Sequence, residues 1–185
     1  FPLEAAVQAS IDAGVVYVVA AGNDGLTSPC YISPQRLPAV ITVGASDETG
    51  ARWSMSNYGP CLDLFAPGTG IASTSSVGDD EFGTMTGTSV ASPHVAGTAA
   101  LVLAVHRDLS PEAVQAAIVA AATADTLADV GEGSPNLLLY SAFEGAEGGG
   151  PGIFTDGFEA GDSSLWSTLL PWKDASLQPP PAAAV

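Results

Sequence analysis

The segment 87–97, together with the apolar run that follows it, constrains the fold more than any other part of the chain. Small residues are spread through this segment, and the apolar run 101–105 follows shortly after it. The pattern predicts a helix that is buried on most sides and has close neighbours. The pair Gly87-Thr88 predicts a tight approach to the helix start, which places Ser89 at or near the first helical position.

A serine at the start of a buried helix has two interpretations. Gly-Thr-Ser before an apolar helix is often only an N-terminal cap, and these three residues alone favour that interpretation. Alternatively, the Ser89 hydroxyl lies beside backbone N–H groups and the positive end of the helix dipole. Both features stabilise negative charge on a carbonyl oxygen under attack, which suits a nucleophile.

The rest of residues 1–143 alternates between helix and strand patterns. Residues 3–13 have helical apolar spacing and are followed by Gly14, a typical residue after a helix end. Residues 15–21 form a continuous β-branched apolar run, which predicts a parallel strand buried on both faces. Residues 39–45 predict a second strand, and residues 71–85 predict short strands in a polar hairpin. Ser110-Pro111-Glu112 predicts the start of a further helix over 113–122, with Ser110 as its N-terminal cap. Helices alternating with buried strands indicate an α/β fold with a mostly parallel sheet.

A polar turn, Gly22-Asn23-Asp24-Gly25, follows the first predicted strand. Ligands of open α/β sheets bind at the carboxyl ends of strands, and Asn23 lies at such an end. Asn-Asp is also a common turn sequence, and the dipeptide alone favours a plain turn.

The full segment 87–97 resembles the nucleophile segment of the subtilisin-like serine proteases, the subtilases. The resemblance implies that Ser89 is the nucleophile. Residues 19–24 resemble the subtilase segment whose asparagine donates its amide to the oxyanion, which implies that Asn23 acts with the backbone N–H of Ser89. The remaining residues implied to line the substrate site, for polypeptide substrates, are Ala20, Ala21, Gly22, Gly87 and Thr88.

The same resemblance implies a three-layer subtilisin-like α/β fold. It covers residues 1–143, which are expected to form the C-terminal part of a peptidase domain, so that Phe1 lies in the middle of that domain. Composition predicts a Gly-rich linker over 144–152 and a small β-rich appendage over 153–175. Residues 176–185 are expected to be disordered.

A serine nucleophile needs a general base and an orienting carboxylate. His94 lies five residues after Ser89, a rotation of about 140° along a helix, so their side chains diverge. The resemblance makes His94 a structural residue, and His106 is expected at the surface. The His-Gly-Thr and Asp-Thr/Ser-Gly motifs of the family do not occur. The 185 residues alone are therefore expected to hydrolyse peptides poorly; the alternative is a non-catalytic secreted scaffold or binding protein.

Charge and cysteine content restrict the partners and the compartment. With 4 Lys and Arg against 20 Asp and Glu, the net charge of -16 argues against nucleic acid and anionic membranes as partners. No apolar run of membrane-spanning length is expected. Cys30 and Cys61 are either two buried thiols or, in an exported protein, a disulfide; the resemblance favours the bridge. A secreted bacterial monomer is expected.

A calcium site is implied by resemblance to the proteinase-K-like branch of the subtilases. There an aspartate that maps onto Asp63 binds Ca²⁺ with two backbone carbonyls, which map onto Pro38 and Val40. Oxygen ligands suit Ca²⁺. The acidic run 79–81 is interpreted as a solvated turn rather than a metal site. Asp156, Glu159 and Asp162 of the appendage are either calcium ligands or residues of solvated turns, and solvated turns are again favoured.

Overall fold

The structure is a computed structural model that describes residues 1–26, 28–78 and 80–141. The predicted linker, appendage and tail lie outside the described residues. The helices are α1 (Pro2–Asp12), α2 (Thr88–Val105) and α3 (Pro111–Ala121), and a short 3₁₀ helix covers Pro29–Tyr31. The strands are β1 (Val18–Ala20), β2 (Ile41–Ser46), β3 (Leu64–Pro67), β4 (Ile71–Thr74), β5 (Phe82–Met85), β6 (Thr123–Ala124) and β7 (Leu137–Leu138).

Five strands form one sheet in the order β1-β2-β3-β7-β6. Every neighbouring pair is parallel except the final β7–β6 pair, which confirms the predicted mostly parallel α/β sheet. Val18 faces the apolar cluster that includes α2, whereas Val19 packs with the cluster of α1. Because successive side chains of a strand point to opposite faces, helices cover both faces of the sheet and the fold has three layers.

The first strand is shorter and less buried than predicted. It covers only Val18–Ala20 instead of residues 15–21, its three residues are half-buried, and Val15 is exposed. Among the described residues β1 pairs only with β2, so one of its edges has no neighbour. By contrast, all six residues of β2 are buried, because β2 has a strand on each side and helices over its faces.

Helix α2 packs one face onto β1, β2, β3 and α3. Ala91, Val95 and Ala99 on that face are buried against alternate residues of β2. The opposite face, which includes Ala96 and Gly97, is exposed, so the expectation of burial on most sides is wrong for the described residues. The small residues that predicted close neighbours meet them, within the described part of the chain, on the face that packs on the sheet.

Helix α2 is long enough and apolar enough to cross a membrane, and it is the only such helix in the described part of the chain. The expectation that no apolar run reaches that length is therefore wrong by this criterion. The reason is that its many Ala and Val residues, together with two Leu, raise the hydropathy without any charge to lower it. Core helices of soluble proteins can be equally long and equally apolar.

Three further predictions are confirmed. The Ser110 hydroxyl accepts a hydrogen bond from Ala113 N at 3.2 Å and caps α3. Strands β4 and β5 form the antiparallel hairpin expected over 71–85. A disulfide joins Cys30 to Cys61, which ties the loop after β1 to the segment before β3.

Candidate active site

The candidate site lies where the loop after β1 meets the start of α2. Gly87 is held by a hydrogen bond from its N–H to Gly68 O, at 2.8 Å, and has a φ of +154°. The helix begins at the next residue, so Ser89 is its second residue and its side chain is exposed. The N–H groups of Val90 and Ala91 donate to Gly87 O at 3.1 and 3.3 Å, whereas none of the described residues accepts a hydrogen bond from the N–H of Ser89.

The Asn23 side chain is held in one orientation by Thr88. Its Oδ1 accepts hydrogen bonds from Thr88 N at 2.9 Å and from Thr88 Oγ1 at 2.8 Å. Thr88 Oγ1 in turn accepts from Gly22 N at 3.1 Å. Because the oxygen of the amide is occupied, the NH₂ group of Asn23 is directed away from Thr88, and none of the described residues accepts a hydrogen bond from it.

Asn23 and Ser89 converge on one small volume above Gly87. A Cβ built on Gly87 would lie 3.2 Å from Ser89 Oγ and 3.3 Å from Asn23 Nδ2. Two atoms that both lie within hydrogen-bond reach of one point are on the same side of the sheet and close to each other. A hydroxyl and an amide donor thus meet above Gly87, and the approach is this close because residue 87 has no side chain.

Thr88 and Ala21 differ from the other residues implied to line the substrate site. Both are completely buried. The Thr88 side chain touches Asn23 and Gly22 instead of a solvent-facing surface, and Ala21 packs with Phe65. Neither side chain is exposed in this structure and both support the loop that carries Asn23, so their roles as residues lining the substrate site stay predictions.

The other two residues of the implied pocket wall are partly accessible. Ala20 and Gly22 are half-buried, and Ala20 O accepts a hydrogen bond from Gln35 Nε2 at 2.9 Å. Their roles as pocket walls stay predictions.

Neither histidine is placed to act as a base for Ser89. His94 Nδ1 lies 2.8 Å from Val90 O, one helical turn earlier, and its side chain is on the exposed face of α2. His106 follows the last residue of the helix, nearly five turns from Ser89, and is exposed. These positions agree with the interpretation of both residues as non-catalytic.

The proposed calcium ligands Asp63 and Pro38 lie together near the start of β3. Gln115 Nε2 donates to Asp63 Oδ1 at 3.0 Å and to Pro38 O at 3.3 Å, so these two oxygens face a common point. Asp63 Oδ2 accepts from Thr42 N at 2.7 Å, and burial raises the pKa of this carboxyl. The oxygens fit Ca²⁺ in kind, provided that the Gln115 amide moves aside.

The described residues contain no cluster of three or more His, Cys, Asp or Glu side chains able to hold a metal. A site at Asp63 would therefore depend on backbone carbonyls. Val40, the third residue implied there, is buried beside Val7 and Ile11 of α1.

Asn57 is a functional candidate that the sequence alone did not reveal. It is completely buried, and its side chain bonds the backbone of the loop that carries Asn23. The sequence contained only the turn 53–59 as a signal. That Asn57 contacts residues more than 30 positions away became visible only in the folded chain.

Comparison with known proteins gives a consistent result. The family model described as the subtilase family matches residues 2–150. The chain is 48% identical over 141 residues to the "Extracellular serine proteinase" of Thermus sp. (strain Rt41A). The aligned region covers 76% of this chain and 34% of that protein. It is 43% identical over 152 residues to "Alkaline serine exoprotease A" of Vibrio alginolyticus, covering 80% of this chain and 28% of the relative.

Solved structures agree with this. A cold-adapted subtilisin-like serine proteinase matches with a TM-score of 0.72 and 40% identity, over 76% of this chain and 50% of that one. Among the relatives matched by sequence, a "Subtilisin-like serine protease" of Penicillium rubens is 40% identical over 162 residues, so the similar proteins include fungal ones. The chain spans about a third of the length of these curated relatives.

Proposed function

Because this chain belongs to the subtilase family, we propose that it forms the nucleophile and oxyanion part of a serine endopeptidase. Ser89 is the proposed nucleophile, and Asn23 Nδ2 with the backbone N–H of Ser89 is the proposed oxyanion site. The supporting observation is the convergence of Ser89 Oγ and Asn23 Nδ2 above Gly87.

The reaction assigns each group one task. Ser89 Oγ forms a bond to the peptide carbonyl carbon, and its proton passes to a general base. The carbonyl oxygen gains negative charge, which the two N–H donors stabilise in the transition state. As the C–N bond breaks, the base returns the proton to the leaving amine, and water then releases the acyl group from Ser89.

The general base and its orienting carboxylate are proposed to come from residues outside the 185. His94 and His106 are the chain's two histidines, and neither is near Ser89 Oγ. The 185-residue chain alone is therefore expected to turn over peptides very slowly. In subtilisin, the reference case for this effect, loss of triad members leaves only weak residual catalysis.

Polypeptides are the proposed substrates, and secretion is the proposed location. The names of the relatives support both, since they are proteinases and one is called extracellular. The monomeric state, the bacterial source and the exclusion of nucleic acid and membranes stay predictions from composition.

A serine-directed fluorophosphonate probe tests the proposed function on the product of the full reading frame. We expect the probe to label the wild type and to leave Ser89→Ala unlabelled. Ser92→Ala is the matched control, because Ser92 lies on the same helix one turn further on, and it should label normally. A folded wild type that stays unlabelled supports the non-catalytic scaffold, and labelling of Ser89→Ala refutes the assignment of the nucleophile.

A structural Ca²⁺ is proposed at Asp63 with the carbonyls of Pro38 and Val40. Added Ca²⁺ should raise the melting temperature, because an ion that binds only the folded state stabilises it. Asp63→Asn should remove this shift, whereas Asp108→Asn, at an exposed carboxylate, should keep it. An equal Ca²⁺ shift in the wild type and in Asp63→Asn would place the ion elsewhere.

A further inference from the structure

Asn57 lies at the centre of the loop that carries the proposed oxyanion donor. Its Oδ1 accepts hydrogen bonds from Asp24 N at 3.0 Å and Gly25 N at 3.1 Å. Its Nδ2 donates to Ala21 O at 3.0 Å and to Asp24 Oδ2 at 3.3 Å. The hydrogen-bonding capacity of the side chain is thereby used completely, which fits its complete burial.

Asn57 forms hydrogen bonds with the residues before and after Asn23, and none with Asn23 itself among the described contacts. On the side before Asn23, its side chain holds Ala21 O and its backbone N–H donates to Gly22 O at 2.9 Å. On the side after Asn23, it holds the two following N–H groups. The loop therefore wraps around the Asn57 side chain, and the residue at its tip points outward, toward Gly87 and Thr88.

The close fit between the loop and Asn57 requires a glycine at position 22. Gly22 has a φ of +104°, and a Cβ there would overlap Asn57 Nδ2. The position of Asn57 and the path of the loop therefore depend on each other.

The turn that carries Asn57 is itself anchored. The Arg52 guanidinium donates to the carbonyls of Trp53, Ser54 and Ser56 at 3.3, 3.2 and 2.8 Å. It also lies over the ring of Tyr58, 4.8 Å from the centroid. Because several carbonyls share one rigid guanidinium, the turn holds Asn57 in one place.

We propose that Asn57 is a positioning residue for the oxyanion site: it sets the place of Asn23 Nδ2 relative to Ser89 Oγ. The proposal rests on the proposed function. Asn57 does not touch the substrate, and it acts through Asn23. Misplacement of a catalytic group by about 1 Å can lower the rate about 100-fold, so a small shift of this loop is sufficient.

The test is a double-mutant cycle on the product of the full reading frame, with a chromogenic peptide substrate. Asn57→Asp keeps the size of the side chain but turns the Nδ2 donor into an acceptor facing Ala21 O and Asp24. We expect kcat to fall about 10- to 100-fold and KM to change less than about twofold. In the Asn23→Ala background, Asn57→Asp should lower kcat by less than about twofold, because the group that it positions is gone.

Asn136→Asp is the matched control. Asn136 braces a different loop in the same way, with Oδ1 accepting from Leu127 N at 3.0 Å and Nδ2 donating to Leu127 O at 2.9 Å. It should lower the melting temperature and leave kcat unchanged. If Asn57→Asp does not fold, Asn57→Ser, which adds no charge, replaces it in the same cycle.

The outcomes separate this inference from the proposed function. Hydrolysis that survives Ser89→Ala overturns both. If Ser89→Ala abolishes hydrolysis, the inference alone is overturned by either of two results: an unchanged kcat in the folded Asn57 variant, or an equal loss of kcat with and without Asn23.

Discussion

Replacement of Gly87 by alanine is the sharpest single test of the proposed oxyanion site. The change adds one methyl group, and the structure gives its place. The new Cβ would lie 3.2 Å from Ser89 Oγ and 3.3 Å from Asn23 Nδ2. An oxyanion held by Asn23 must lie about 2.7–3.1 Å from the same nitrogen, and a methyl group in tight contact with Asn23 Nδ2 and Ser89 Oγ is expected to push these groups apart or to obstruct the oxyanion.

The magnitude has two parts, one for stability and one for catalysis. The φ of +154° at Gly87 is rarely adopted by residues with a Cβ, and such strain costs about 1–3 kcal/mol. Loss of one oxyanion donor lowers kcat about 100- to 1,000-fold in subtilisin, which is the reference case for this effect. Gly87→Ala should lose at least about 100-fold in kcat, or about 2.7 kcal/mol of transition-state stabilisation.

The assay measures kcat and KM on a chromogenic peptide, together with thermal unfolding, for the product of the full reading frame. Gly97→Ala is the control, because it is the same change on the exposed face of α2, where a Cβ meets no atom within 4 Å. It should keep full activity and raise stability by about 0.5–1 kcal/mol. A folded Gly87→Ala variant that keeps more than about a tenth of wild-type kcat would refute the placement of the oxyanion.

Three further predictions concern stability. The hydrogen-bonded ion pair with Arg36 lowers the pKa of Glu4 from 4.5 to about 2. The stabilisation of the fold by this pair is therefore fully present above pH 4.5 and is lost as the pH falls toward 2. Glu4→Gln should therefore be less stable than the wild type at neutral pH, and chemical denaturation should show the two curves converging between pH 4.5 and 2. Reduction of the disulfide, which joins cysteines 31 positions apart, should cost about 3–4 kcal/mol by urea unfolding; no change on reduction would contradict a bridge that constrains the unfolded chain. Gly44→Ala should lower the melting temperature without affecting probe labelling of the folded protein, because its Cβ would lie 2.6 Å from the ring of Phe65; an unchanged melting temperature would show that the core is loosely packed there.

The helix and strand types were predictable wherever the signal is local. The cap at Ser110 and the hairpin over 71–85 were predicted correctly because capping residues and turn residues act within a few positions. The length of β1 was predicted wrongly. An apolar run indicates that a segment can be buried. The length of the strand that forms depends on which neighbouring strands pair with it.

The candidate site was predictable in its residues but not in its supports. Asn23 and Ser89 were identified from segments that resemble subtilases, and their roles stay proposals. The buried place of Thr88 was not predicted. A threonine at a helix start can face solvent or the interior, and here the contact with Asn23, 65 positions earlier, decides which.

The sequence by itself determined the α/β class, the family, and the chemical groups available for catalysis, since these depend on local patterns and on segments that resemble a family. Only the tertiary structure decided how Asn23 is oriented, what holds its loop, and which atoms face Asp63. Those features are contacts between residues 21 to 65 positions apart. They arise from the register of parallel strands and from the way α2 crosses the sheet. Neither of these produces a local pattern in the sequence from which it could be predicted.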